Sequence, residues 1–173
     1  MAGNSEILRS KTVSPGEMDF ITGTWTRTRT GAGLIVQRKT AGITNSYVMA
    51  RANLPRKRDE LGVKLTSVSY QYQMGTLNPY LVTATLYRVN RGVFNGTGIR
   101  SATVIACTKS IPPYISATTQ RGLLTVTTPV WDWATSETAS DFDYIFEYYL
   151  GAASTTAFDM MDVKFNWTAA EGP

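Results

Sequence analysis

From Tyr144 to Trp167 the chain reads YIFEYYLGAASTTAFDMMDVKFNW, with large apolar residues on every second position at both ends and small residues between. Alternation with a period of two marks a strand that turns one face to a core and the other to water. It puts Tyr144, Phe146, Tyr148 and Leu150 inward, against Ile145, Glu147 and Tyr149. It also puts Met161, Val163, Phe165 and Trp167 inward, with Asp162, Lys164 and Asn166 facing water. These two segments are expected to form a hairpin-like pair feeding one core.

The same period recurs upstream. MDFITGTWTRTRT alternates as one strand rich in threonine, whose β-branched side chain suits a pleated surface. GLIVQRKT (Gly33 to Thr40) and SYVMARANL (Ser46 to Leu54) are separated by AGITN, a spacing that suits a hairpin. In VKLTSVSYQYQM, Val68, Tyr70, Tyr72 and Met74 share a face; in YLVTATLYRV, Val82, Ala84 and Leu86 do. IRSATVIACT is a further strand, and GLLTVTTPVWDW sets Leu124, Val126, Thr128 and Val130 together. Between them PRKRDELG, GTLNP, NRGVFNGTG and ATSETASD read as loops, and PPYISATTQRG has room for one helical turn.

About nine strands follow, with no sustained spacing of i, i+3, i+4, i+7. Many short strands with Gly and Pro turns predict an all-β chain, a single antiparallel β-sandwich of jelly-roll type over residues 18–173. Residues 1–17 are polar, carry Ser14-Pro15-Gly16 and show no period, so they are expected to be an extended N-terminal arm held by neighbouring subunits.

Composition removes whole classes of chemistry. The 173 residues contain no histidine and one cysteine, Cys107. That excludes Ser-His-Asp and Cys-His nucleophiles and zinc sites built on His or on several Cys. Cys107 reads as a small buried hydrophobe. Carboxylate or lysine chemistry survives, but no pair of acids stands out by spacing; no enzyme activity, cofactor or metal is expected. A chain of this length can bury a sizeable core without disulfides. No apolar run is long enough to span a bilayer, and the first 20 residues lack a secretory h-region, so no membrane partner is expected and the chain reads as made in the cytoplasm.

Charge is uneven. Residues 1–100 carry 14 Lys and Arg against 5 Asp and Glu, residues 101–173 only 3 against 8. The basic clusters are RTRT with Arg27 and Arg29, QRK (Gln37 to Lys39), and RKR with Arg56, Lys57 and Arg58. Aromatic residues among them are few, which disfavours nucleic acid and favours an acidic protein neighbour.

The run VKLTSVSYQYQM…NPYLVTATLYRVN…GLLTVTTPVWDW…DYIFEYYLGAASTTAFDMMDVKFNW, residues 63–168, resembles small jelly-roll domains of tailed-phage virion proteins. The resemblance rests on strand patterns rather than on a catalytic signature. It implies a non-enzymatic structural protein of the virion, made in the host cytoplasm, acting as a capsid, decoration or tail subunit. Its partners would be copies of itself and other virion proteins. On that expectation Arg27, Arg29, Arg56, Lys57, Arg58, Trp133 and Tyr149 are interface residues, with Tyr87 a further outward aromatic.

The alternative is a carbohydrate- or receptor-binding β-sandwich module, with a host surface glycan as partner. Trp131 and Trp133 flank Asp132, and such a pair beside a carboxylate can stack on a sugar ring. Glu137, Asp141 and Asp143 lie on one segment but lack the spacing of a calcium loop. The sequons at Asn95 and Asn166 read as chance.

Overall fold

The alternating segments form two antiparallel sheets in a computed structural model that describes residues 6–29, 35–39, 45–54, 60–74, 82–94, 100–110, 116–129, 131–133, 142–150 and 158–171. Strands are numbered in chain order. One sheet holds β1 (Glu6–Val13), β3 (Trp25–Arg29), β4 (Ile35–Lys39), β6 (Glu60–Met74), β9 (Ser116–Thr125), β10 (Asp132–Trp133) and β12 (Phe158–Glu171). The other holds β2 (Asp19–Ile21), β5 (Ser46–Arg51), β7 (Val82–Phe94), β8 (Arg100–Ser110) and β11 (Phe142–Leu150).

The topology is that of a jelly roll. Four strands of the first sheet lie in the order β4-β12-β6-β9, and four of the second in the order β5-β11-β7-β8. Between β4 and β12 the chain passes from sheet to sheet at nearly every connection, so neighbours in space are distant in sequence. The expected hairpins are corrected accordingly. β4 and β5 lie in different sheets, and so do β11 and β12; each pair faces across the core instead of sharing hydrogen bonds. Period-two burial is the same in both arrangements. The hairpins that do form are β3 with β4 and β7 with β8. β7 runs to Phe94, into the segment read as a glycine-rich loop, and β9 starts at Ser116, inside the stretch given room for a helical turn. β9 ends at Thr125, and Thr128 is exposed beyond it.

β6 and β12 form the spine of the larger sheet, paired from Glu60 with Glu171 to Met74 with Phe158. The outer edge of β12 is shared: β4 pairs with Phe158–Met160, and β1 with Val163–Ala170. A register shift between Met160 and Val163 falls where the partner changes. Such a bulge lets neighbouring side chains turn the same way, and Met160 and Met161 are both buried. The N-terminal segment is extended, with residues 6–13 lying along β12 of their own chain. A 3-10 turn, Pro15–Glu17, follows; there the Ser14 amide and hydroxyl both donate to Glu17 Oε2 at 2.9 Å. These bonds, with Lys11 near, hold the Glu17 carboxyl below its ordinary range.

MDFITGTWTRTRT, expected as one strand, is two. β2 belongs to the smaller sheet and β3 to the larger, and the corner between them has Thr22 at φ 57° and Gly23 at φ 81°. Glycine accepts this left-handed region freely, threonine does not. Side-chain bonds hold the corner. Thr22 Oγ1 lies 2.6 Å from the Asn45 carbonyl oxygen and 2.7 Å from that of Ile21, and Trp25 Nε1 donates to the Thr22 carbonyl at 2.9 Å.

The core lies between the sheets. Tyr144, Phe146, Tyr148 and Leu150 of β11 and Val163, Phe165, Trp167 and Ala169 of β12 are all buried, as the alternation predicts. Val68, Tyr70, Tyr72, Ala84, Leu86, Leu124 and Val126 join them. Tyr70 stands opposite Gly122 in register, and its ring crosses the glycine so closely that an added Cβ would collide with the ring and hydroxyl. An aromatic ring laid over a strand glycine is a register lock. Gly122→Ala is expected to displace Tyr70 and cost about 1–3 kcal/mol as overpacking. A denaturant midpoint equal to that of the parent would contradict this.

Candidate functional site

The core cluster packs between the sheets, and the described residues present two outer sheet faces. On the smaller sheet, cross-strand register sets up three outward rows. The first runs Ile21, Tyr47, Tyr149, Thr83; the second Asp19, Met49, Glu147 and the buried Thr85; the third Arg51, Ile145, Tyr87, Val104. The rows alternate with the buried Val48, Ala50, Phe146 and Tyr148 on the other side.

Tyr47 and Tyr149 stand directly opposite, with ring centroids 4.9 Å apart and planes tilted by 37°. Both are half-buried, leaving part of each ring open to solvent. Beside them the Tyr87 hydroxyl donates to Glu147 Oε1 at 3.3 Å, which fixes the carboxylate at the middle of the face. Ile21 and Val104 are exposed at its margins, and an Asp19–Arg51 contact of 3.6 Å closes one end. The result is a surface of tyrosine rings with the Glu147 carboxylate held among them and the Asp19–Arg51 pair at one end. Tyrosine suits such a surface because it presents an apolar ring and a polar tip together.

The outer face of the larger sheet is different. Thr12 of β1, Lys164 of β12, Ser69 of β6 and Leu123 of β9 form one continuous row across four strands. Gln71 stands opposite Arg121 beside that row, and Asp162 and Asn166 flank Lys164 along β12. These residues line a cavity of about 420 Å³.

Of the residues expected at an interface, the described ones lie on both sheets. Tyr149 lies on the tyrosine face. Arg27 and Arg29 are exposed on β3, the edge strand of the other sheet. Trp133 is in β10, its backbone opposite Gly62 in that same sheet. Arg56, Lys57 and Arg58 lie outside the described residues, as do Glu137 and Asp141. Asp143 is instead buried at the start of β11, where its Oδ1 accepts from the Tyr144 amide at 2.9 Å. Among the described residues no three His, Cys, Asp or Glu gather as for a metal ion, and no helix is long and apolar enough to cross a membrane. Trp131 stacks under a cation, with Lys64 Nζ 4.4 Å from its ring centroid. Cys107 sits opposite Thr85 in register. Asn166, the asparagine of one sequon, donates to Ser67 Oγ at 3.1 Å.

Tyr47 and Glu147 were not singled out from the sequence. Their signal was present in the alternation that points Ile145, Glu147 and Tyr149 away from the core. The pairing of Tyr47 with Tyr149 depends on two strands far apart in the chain.

No protein-family model matches the chain, and no curated protein matches it. Similar solved structures exist. A family 35 carbohydrate binding module from Clostridium thermocellum is 8% identical with a TM-score of 0.47, over 91% of this chain and 97% of that one. The xylan-binding module CBM15 is 10% identical with a TM-score of 0.48, over 99% of this chain and 100% of that one. The CBM22-1–GH10 portion of endo-1,4-β-D-xylanase 10B from Clostridium thermocellum, complexed with xylohexaose, is 10% identical with a TM-score of 0.48; the match covers 92% of this chain and 27% of that longer one.

Proposed function

We propose that this chain is a carbohydrate-binding β-sandwich module that holds glycan without turning it over. The observation that carries the reading is the Tyr47–Tyr149 pair, 4.9 Å apart on an open sheet face beside the Tyr87–Glu147 hydrogen bond. Pyranose rings carry apolar C–H faces and hydroxyl rims. Tyrosine rings cover the former, while Glu147 and the phenol hydroxyls meet the latter. From Ile145 to Tyr149 the face extends about 13 Å along β11 at the rise of an antiparallel strand. That suits a short stretch of a neutral oligosaccharide rather than one ring. Binding on such a surface follows a small number of well-packed aromatic anchors more than total area.

Affinity electrophoresis in neutral polysaccharides, followed by calorimetry with the oligosaccharide of the best one, tests the reading. Tyr149→Ala is expected to weaken binding by at least about tenfold, while the melting temperature stays close to the parent's. Trp133→Ala is expected to leave binding unchanged, because β10 belongs to the opposite sheet. No retardation in any neutral glycan, or equal affinity after Tyr149→Ala, would sink it.

The expectation of a virion subunit drew structural support from an arm held by neighbouring copies. In this chain residues 6–13 pair with β12 of the same chain.

A further inference from the structure

We propose that the cavity on the outer face of the larger sheet is a second binding site, for a saccharide that carries one negative charge per ring as a carboxylate or a sulfate half-ester. This goes beyond the tyrosine face, which lies on the opposite sheet.

Residues 101–173 are acidic overall and hold only three basic residues, Lys109, Arg121 and Lys164. Two of these three line this one cavity. Both are exposed, and among the described residues no ion pair joins either of them, or Asp162, to a partner. Elsewhere the charges Asp19 and Arg51, or Glu6 and Lys64, stand together at 3.6 and 3.5 Å. With Asp162 counted, the lining carries a net charge of +1, which a monoanion would neutralise and a polyphosphate would exceed.

Lys164 and Arg121 stand on strands separated by β6, two residues out of register. At ordinary sheet spacing their Cα atoms are about 12 Å apart. Two long side chains leaning toward each other over Ser69 and Gln71 can meet on one anionic group. Arginine would grip it through its planar fork and lysine as a point charge.

Thr12, Ser69, Gln71 and Asn166 present hydroxyls and amides that both donate and accept. That is the complement of a ring of hydroxyls, and more than a bare anion uses. Asp162 accepts only, which suits a sugar hydroxyl and repels a second negative charge. Leu123 is 61% exposed, an apolar contact available to the C–H face of a ring. At about 420 Å³ the cavity falls within the size of ordinary small-molecule clefts.

The test uses the full chain and calorimetry with four probes: trigalacturonate, glucose 6-sulfate, neutral cellotriose and inorganic sulfate. Trigalacturonate or glucose 6-sulfate is expected to bind at millimolar concentration or better, more weakly as salt rises. The two arms tell which acid the cavity takes. Arg121→Gln and Lys164→Gln are each expected to weaken that binding by about tenfold, and the double variant to abolish it. Tyr149→Ala should leave it untouched, and the double variant should leave neutral-glycan binding on the tyrosine face untouched. A failure of one site is thereby separated from a failure of the other. Binding unaltered in the double variant overturns the proposal. So does the absence of binding to either charged sugar, or inorganic sulfate binding as tightly as the sugars.

Discussion

Tyr148→Ala is expected to destabilise the fold by about 3–5 kcal/mol, the usual cost of removing a large buried ring. The site cannot collapse to fill the gap, because Tyr148 is where both sheets meet in aromatic contact. Its ring lies 5.3 Å from Phe158, 5.4 Å from Tyr70, 5.7 Å from Tyr72 and 6.4 Å from Phe146, centroid to centroid. Phe158 belongs to β12, Tyr70 and Tyr72 to β6, and Phe146 to its own strand, so one truncation loosens three strands. Against the roughly 5–15 kcal/mol that holds a domain folded, the loss is severe. The neighbouring Tyr149→Ala supplies the contrast. Its ring sits on the open face, and its removal is expected to cost about 1 kcal/mol or less. Equilibrium urea unfolding of the two variants checks the pair. Equal losses would mean that the inward and outward faces of β11 are misassigned.

High pH is expected to unfold the protein steeply. Burial pushes the Tyr70 phenol up to about 12, with Tyr72 adding to the effect. Burial likewise holds Tyr148 well above its ordinary value, with Tyr72 and Tyr70 contributing. Tyr144 is raised by burial and partly drawn back by Arg88. In the unfolded chain each ionises near pH 10. Below that, both states hold the protons and these groups leave stability level. Above it the unfolded chain releases protons that the native state keeps, so stability falls as pH rises, until the native Tyr70 itself ionises near 12. Each tyrosine so held contributes up to about 1.4 kcal/mol of loss per pH unit. The three together make unfolding in this range cooperative with phenolate formation. Urea midpoints taken from neutrality upward, read beside phenolate absorbance, should decline together above about pH 10. A midpoint that stays flat while the phenolate signal rises fully would contradict the burial of these rings.

What the sequence disclosed was the facing of residues, and what it withheld was their partners. Alternation alone assigned Tyr144 through Leu150 and Met161 through Trp167 to the core, and the structure buries all of the inward ones. The same alternation could not tell a hairpin from a crossing between sheets, so β4 with β5 and β11 with β12 were joined where the fold separates them. Gly23 was the one local sign of the β2–β3 corner, easily lost in a run of threonines that suits a strand throughout. The candidate faces divide in the same way. Tyr149 was expected outward from its own strand, while Tyr47 becomes its partner only through the β5–β11 register. The cavity over β12 draws on β1, β6, β9 and β12, and no stretch of the chain shows those four together.

The spine of the larger sheet has a consequence in time. β12 is the common partner of β6, β4 and β1, and it leaves the ribosome after all of them. Until it arrives those strands have no centre to pair with, and their open edges are templates for other chains. Closing a sheet through contacts between residues so far apart in sequence is intrinsically slow. This domain therefore completes its folding only once β12 has emerged, and a nascent chain halted before residue 158 would be a sticky intermediate awaiting its middle.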